Sequence, residues 1–152
     1  TEAVHHPLCE LCQNDGGILI VKTDKLRVVR VDDADYPGFY RVIWNDHVAE
    51  FTDLAPADHV PCLGAVAIVE TLVRQHLKPT KVNLASLGNI TPHVHWHVIP
   101  RLPGDPAFPK PIWAHALTPD SQGTAGLDTL AHRQPEGMTD WQEQVRRALE
   151  AL

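Results

Sequence analysis

The sequence is short of basic residues, of cysteine and of long apolar runs, and each shortage removes a class of function. Its 152 residues carry 13 Lys and Arg against 19 Asp and Glu, a formal charge of −6. A chain with that balance has no basic surface for coating nucleic-acid backbone or anionic lipid, so neither partner is expected. A small phosphate-bearing ligand held by local donors stays open. No apolar run approaches the roughly 20 residues of a membrane helix, so no membrane span is expected. Residues Thr1 to His6 contain neither the basic region nor the apolar stretch of a signal peptide, and the expected location is cytoplasmic. Three cysteines, Cys9, Cys12 and Cys62, cannot all pair internally, which argues against a secreted disulfide framework. Internal repeats are also missing.

What remains is a chain of globular composition, 43% hydrophobic and 21% charged, of a length that fits one domain. The domain is expected to span 1–152, with a core over about 9–115 and a C-terminal extension over 120–152. The unusual investment is in imidazole, with ten histidines at positions 5, 6, 47, 59, 76, 93, 95, 97, 115 and 132. Imidazole binds metals and moves protons or phosphoryl groups near neutral pH. Where the ten fall therefore decides the function.

Local pattern gives the elements. Ile18 to Val21 and Leu26 to Val31 are short β-branched runs around polar Lys22 to Lys25, which predicts a hairpin. Asp32 to Gly38 reads as a turn and Phe39 to Trp44 as a third strand. Thr52 or Asp53 is the expected cap of a long helix over Pro56 to Leu77, ended by Lys78-Pro79; Pro61 is expected to shift its start by up to a turn. Val82 to Leu87 and His93 to Ile99 read as two more strands around a tight loop at Gly88 to Pro92. A Pro- and Gly-rich excursion carrying Phe108 and Trp113 follows, then a flexible connection over Asp120 to Gly137. Thr139 to Leu152 forms a terminal helix capped by Thr139, with Trp141, Val145, Leu149 and Leu152 on one face. Cys62 reads as a core thiol.

The segment Pro92-His93-Val94-His95-Trp96-His97-Val98-Ile99-Pro100 carries the strongest signal. Side chains alternate between faces of a strand, so the three imidazoles share one face while Val94, Trp96 and Val98 supply packing on the other. A polar, solvent-facing stripe would not need three titratable rings, each with two nitrogens to satisfy. Two functional readings compete. Three neutral imidazoles can bind one catalytic metal, although three in line converge on a single ion with difficulty. Alternatively the row divides labour, one imidazole attacking a phosphorus centre and another protonating the leaving group.

This segment resembles the motif of the histidine triad family, three His alternating with apolar residues, with Gly88-Asn89 before it and Pro100-Arg101 after it as similar flanks. The resemblance covers Cys9 to about Trp113 and is nearest the bacterial diadenosine polyphosphate hydrolase-like branch. It implies an α+β fold, an antiparallel sheet of about five strands with one long helix and a C-terminal helix. It also implies a homodimer, a nucleotide substrate, no organic cofactor, and a hydrolase or transferase acting at an α-phosphate. On this resemblance His95 attacks the α-phosphate and forms a nucleotidyl-histidine, His97 contacts the phosphate and helps protonate the leaving group, and His93 completes the catalytic row. Asn83 and Asn89 match positions that contact phosphate or the catalytic loop, and Asp32 matches a ribose-binding position.

Some bacterial relatives carry a structural zinc, and their ligands match Cys9, Cys12, His47 and His93; the Cys9-x-x-Cys12 pair alone says little. The other histidines read as surface or terminal residues, with His115 as one that approaches the site from the excursion. Three departures bear on substrate preference and turnover: Phe39 where many members have His after Pro-Gly, Trp44-Asn45-Asp46 in place of a Pro-Lys pair, and Ile90 where a small hydroxyl residue is common. Two other functions stay open, a nucleotide-sensing module with little turnover and a metalloenzyme with its ion on the triad.

Overall fold

Short β-branched runs separated by tight polar turns pair locally, and the first two do so as a hairpin. In the computed structural model, which describes residues 4–114 and 138–151, strand β1 (Ile18–Lys22) pairs antiparallel with β2 (Leu26–Arg30). The turn between them is closed by Thr23, whose N–H donates to the Leu26 carbonyl at 2.8 Å while its hydroxyl accepts from Leu26 N–H at 3.2 Å. Strand β3 (Tyr40–Trp44) adds to β2, and β5 (His95–Arg101) inserts between β3 and β4 (Lys81–Ala85). All pairings are antiparallel and the order is β1-β2-β3-β5-β4. The strand carrying the histidines is thus flanked on both sides.

Two helices precede and follow β3. The short helix α1 (Glu10–Gln13) lies in the N-terminal segment, and α2 (Pro56–Leu77) crosses one face of the sheet. The latter begins at Pro56, with Ala55 as N-cap, and runs on through Pro61. Thr52 and Asp53 sit in a preceding 3-10 turn over Phe51–Asp53 and make no cap bond, so the expected cap and the expected shift at Pro61 are both corrected. Lys78 ends the helix in the left-handed conformation ahead of Pro79. By length and composition α2 is apolar enough to cross a membrane. Its side chains Cys62, Ala65, Val66, Val69, Leu72, Val73 and Leu77 are instead buried against the sheet, which is the arrangement of a core helix. The Cys62 thiol, expected in the core, is pushed up to about 11 by burial and is inert there.

The C-terminal helix α3 (Met138–Glu150) begins one residue before Thr139, so Thr139 lies inside it rather than capping it. Val145 and Leu149 join the same core, and Gln144 Oε1 accepts from His76 Nε2 of α2 at 3.3 Å. His115, His132, the connection over 120–137, the side chain of Trp141, and Leu152 lie outside the described residues. The fourth strand spans Lys81–Ala85 instead of Val82 to Leu87, and β5 begins at His95 instead of His93. The cause of the second change is local. Val94 exchanges hydrogen bonds with Trp44 and Val48, its N–H donating to the Val48 carbonyl at 2.8 Å, so the chain at His93 and Val94 follows β3 and has left β4.

Among the described residues, the opposite face of the sheet is covered only in part. Cys9 and Leu11 pack on Val29 and Ile43 at one end, and Tyr36, Phe39 and Ile99 form a second small cluster at the other. Along β5 and the residues leading into it, this face runs His93, His95, His97, Ile99. His95 and His97 thus fall in the gap between two apolar covers.

Candidate active site and metal centre

The alternation read from the sequence holds through the change of strand boundary. Val94, Trp96 and Val98 face the main core, and the three imidazoles face the other way. The His95 ring meets the His97 ring edge-on at 4.9 Å between centroids. His95 Nδ1 lies 2.6 Å from the His93 carbonyl oxygen, so that nitrogen carries the proton and Nε2 keeps its lone pair. Burial lowers the His95 ring below the ordinary imidazole value, the His93 carbonyl opposing it and Arg41 adding to it. A neutral imidazole with a free Nε2 is a nucleophile ready without prior deprotonation.

His97 is more enclosed. Its ring is boxed by Phe39 at 5.6 Å, Trp113 at 4.9 Å and His95. Burial, then the charge-sensitive neighbours His95 and Arg41, push it down to about 3, so it is neutral at physiological pH. Among the described residues its Nδ1 is buried with no hydrogen-bond partner. The neighbouring Phe39 ring offers it no acceptor.

The second cluster assembles around His93. Cys9 Sγ lies 3.4 Å from His93 Nδ1, and Cys12 Sγ lies 3.5 Å from both His93 Nδ1 and His47 Nδ1. All four ligand atoms fall within 4.8 Å of one another. A tetrahedral zinc with the usual Zn–S and Zn–N lengths of about 2.3 and 2.0–2.1 Å sets S···N edges of about 3.5 Å, and these spacings match it. His93 Nε2 donates to the Trp44 carbonyl at 2.5 Å, which fixes the tautomer and turns the Nδ1 lone pair toward the thiols. Burial also lowers the His93 ring, keeping it neutral as a ligand must be. His6 N–H adds a hydrogen bond to Cys12 Sγ at 3.4 Å, and its ring lies 5.1 Å from that of His47. Cys9, Cys12, His47 and His93 can therefore hold a metal ion, and the donor set and spacing suit zinc. The three triad rings do not converge on a point, because His93 Nδ1 is directed at the thiols. Among the described residues no ligand set for a triad-bound ion exists.

Several residues that pattern alone did not single out complete the surroundings. Arg27 is buried and ties down the N-terminal segment, donating to the carbonyls of Leu11, Asn14 and Asp15 and to Asn45 Oδ1. Arg41 pairs with His97 across β3 and β5 and lines, with His95, Thr91, Gly16 and Gly17, a cavity of about 610 Å³. Arg101 forms a two-pronged ion pair with Asp105 at 2.6 and 2.9 Å, both buried, and donates to Asn83 Oδ1 and the Lys110 carbonyl at 2.7 Å each. This knot anchors the excursion that lays Trp113 on His97. Burial pushes the Asp105 carboxyl up, but the Arg101 bonds and charge with the Phe108 and Ala107 N–H groups outweigh it and hold the group below its ordinary value. Asn83 thus lies on β4 engaged with Arg101, while Asn89 is exposed in the connection after β4 and Asp32 is exposed two residues beyond β2. Ile90 is 96% exposed and touches neither cluster.

Comparison with known proteins agrees with the fold. A family model of the HIT domain matches residues 14–104. A histidine triad protein from Bradyrhizobium japonicum superposes with a TM-score of 0.65 at 23% identity, covering 89% of this chain and 92% of its own. One from Marinobacter aquaeolei gives 0.67 at 21% identity, covering 97% and 98%. The NitFhit protein of C. elegans gives 0.52 at 17% identity over 88% of this chain and 27% of its own. No curated protein matches the chain.

Proposed function

The chain belongs to the HIT domain family, whose members bind nucleotides and are in general hydrolases or transferases, and from that premise we propose that it cleaves a nucleotide at its α-phosphate through a covalent nucleotidyl-His95. The observation that carries the reading is the 2.6 Å bond from His95 Nδ1 to the His93 carbonyl, which leaves Nε2 unprotonated and open to attack phosphorus. In the first step Nε2 bonds to the α-phosphorus and the bond to the leaving group breaks, its electron pair leaving with that group. Water then displaces His95 and releases a nucleoside monophosphate. His97 contacts the phosphate, and the negative charge of a bound phosphate raises its ring from about 3 toward a range where it can donate a proton.

Incubation with a dinucleoside polyphosphate or adenosine phosphoramidate should release AMP and yield a trapped adduct on His95. If His95→Ala released AMP as fast as the parent, the assignment fails. A second reading, a nucleotide sensor with little turnover, draws support from Phe39, which packs on His97 without offering an acceptor, and from His97 Nδ1, which has no hydrogen-bond partner among the described residues. Tight binding by calorimetry with no product and no adduct would select it.

Zinc on Cys9, Cys12, His47 and His93 would have four protein ligands and no open position, so its contribution would be to structure. Asp32, Asn83 and Asn89 are assigned to ribose and phosphate contacts. The functional unit is proposed to be a cytoplasmic homodimer. Support for the dimer comes from β4, an edge strand, and from exposed Leu84, Leu87 and Leu63 near it; light scattering giving a monomer mass would remove it.

A further inference from the structure

Arg41 is the least satisfied charge near the nucleophile. It lies on β3 opposite His97, on the face shared by His95 and His97. Among the described residues its guanidinium makes one hydrogen bond, Nη1 to the Gly16 carbonyl at 3.1 Å, out of five N–H donors. Its Nε is buried with no partner among these residues, and its Cζ lies over the Phe39 ring, 5.5 Å from the centroid. Glu10 and Asp15 also line the cavity, and Glu10 acts on Arg41 at long range, but both are exposed and neither comes within ion-pair distance of it. The neighbouring imidazoles are neutral. A half-buried guanidinium without a carboxylate costs stability unless an anion completes it.

The arrangement specifies where that anion sits. Arg41 and His95 line one continuous cavity of about 610 Å³, so a group reaching Arg41 belongs to a molecule already engaged at His95. The α-phosphate is taken by His95 and His97. What lies beyond it is the leaving group.

We propose that Arg41 binds the phosphate chain of the leaving group and makes this chain selective for substrates whose leaving group is itself a nucleotide or polyphosphate, over those that expel a neutral amine. The inference rests on the α-phosphate reading above. As His95 Nε2 bonds to the α-phosphorus, the bridging oxygen keeps the electron pair of the bond that breaks. The leaving group then carries one more negative charge than it had as part of the substrate. A guanidinium fork beside that oxygen strengthens its hold as the charge develops, which lowers the barrier as well as improving binding. An amine leaving group takes a proton and departs uncharged, so Arg41 has nothing to hold.

The test is a ratio, which is independent of how much of a variant is folded. kcat/KM for a dinucleoside tetraphosphate divided by that for adenosine phosphoramidate is measured for the parent, Arg41→Gln and Arg41→Lys. The ratio should fall on the order of 50-fold in Arg41→Gln, as expected for a lost charge-assisted hydrogen bond, and by less in Arg41→Lys, which keeps the charge but not the fork. An unchanged ratio overturns the proposal, since a purely structural Arg41 would depress both substrates alike. Should the parent cleave neither substrate, the hydrolase reading fails and binding decides Arg41 separately. A methylene-bridged dinucleoside tetraphosphate should then bind more tightly than AMP to the parent, with that preference lost in Arg41→Gln. Equal preference in the two proteins overturns the proposal by this route also.

Discussion

His93 serves His95 through its backbone and the thiol cluster through its ring: its carbonyl accepts the His95 Nδ1 proton at 2.6 Å, while its own Nδ1 lies 3.4 and 3.5 Å from Cys9 and Cys12. One residue thus joins the candidate metal centre to the orientation of the proposed nucleophile. Disturbing the cluster reaches the neighbouring imidazole through a single peptide unit.

The first expectation follows from that link. Protein produced with zinc should carry one ion per chain, and Cys12→Ser or His47→Ala should lower the stoichiometry well below one by metal analysis. Either variant should also melt several degrees lower, because breaking up a closed four-ligand site removes metal-binding free energy from folding. Full zinc retention in both variants would show that the ion sits elsewhere.

A second expectation concerns acid. The folded His97 ring titrates at about 3 and the unfolded ring near 6.5, so between those values the unfolded chain binds more protons. The stability from keeping this ring neutral is complete above about pH 6.5 and is lost as pH falls toward 3. From pH 7 to pH 4.5 the parent should therefore lose about 2 kcal/mol more than His97→Gln. Urea unfolding with a chelator present, so that ligand protonation is common to both proteins, reads the difference.

Asp105 acts in a lower window with the same sign. Its carboxyl is held below the ordinary 3.8, so its contribution is present above that value and fades as pH drops through the folded value. Asp105→Ala leaves Arg101, 1% exposed, without its counter-charge. A loss of about 3–5 kcal/mol is expected in urea unfolding at neutral pH, together with faster amide exchange over 102–114, the segment the ion pair anchors.

Gly16 offers a backbone test near the same cavity. Its φ is +89°, and an added Cβ would lie 2.8 Å from both Ile43 Cδ1 and Leu11 Cδ2. Gly16→Ala should cost about 2 kcal/mol from backbone strain and crowding. Because the Gly16 carbonyl also holds Arg41, the variant should shift substrate preference in the direction of Arg41→Gln.

Much of this was readable from the chain because its chemistry is local. The histidine face needs only the two-residue period of a strand, which Val94, Trp96 and Val98 enforce from the core side. The paired thiols at Cys9 and Cys12 are visible as spacing, whereas His47 and His93 join them only through the backbone bonds of Val94 with Trp44 and Val48 just past the strand ends, and resemblance rather than pattern connected the four. Arg41 was not legible. A single cation within Tyr40-Arg41-Val42-Ile43-Trp44 reads as the solvated side of a strand until β5 is placed beside it and sets it against His97. Trp113 on His97 and the Arg101–Asp105 knot were hidden for a different reason. Both belong to a Pro-rich segment without periodicity, whose path depends on buried polar contacts. The beginning of β5 at His95 likewise reflects a competition between β3 and β4 for Val94.

Cys9 and Cys12 stand 84 and 81 positions from His93 along the chain. Groups so far apart meet late, since the entropy of closing a long loop must be met before such contacts form. An ion seated among them would add strength to the finished structure while leaving the folding transition state almost untouched. Its effect would be on the rate at which the protein comes apart rather than on the rate at which it assembles, a latch closed after folding and not a seed for it.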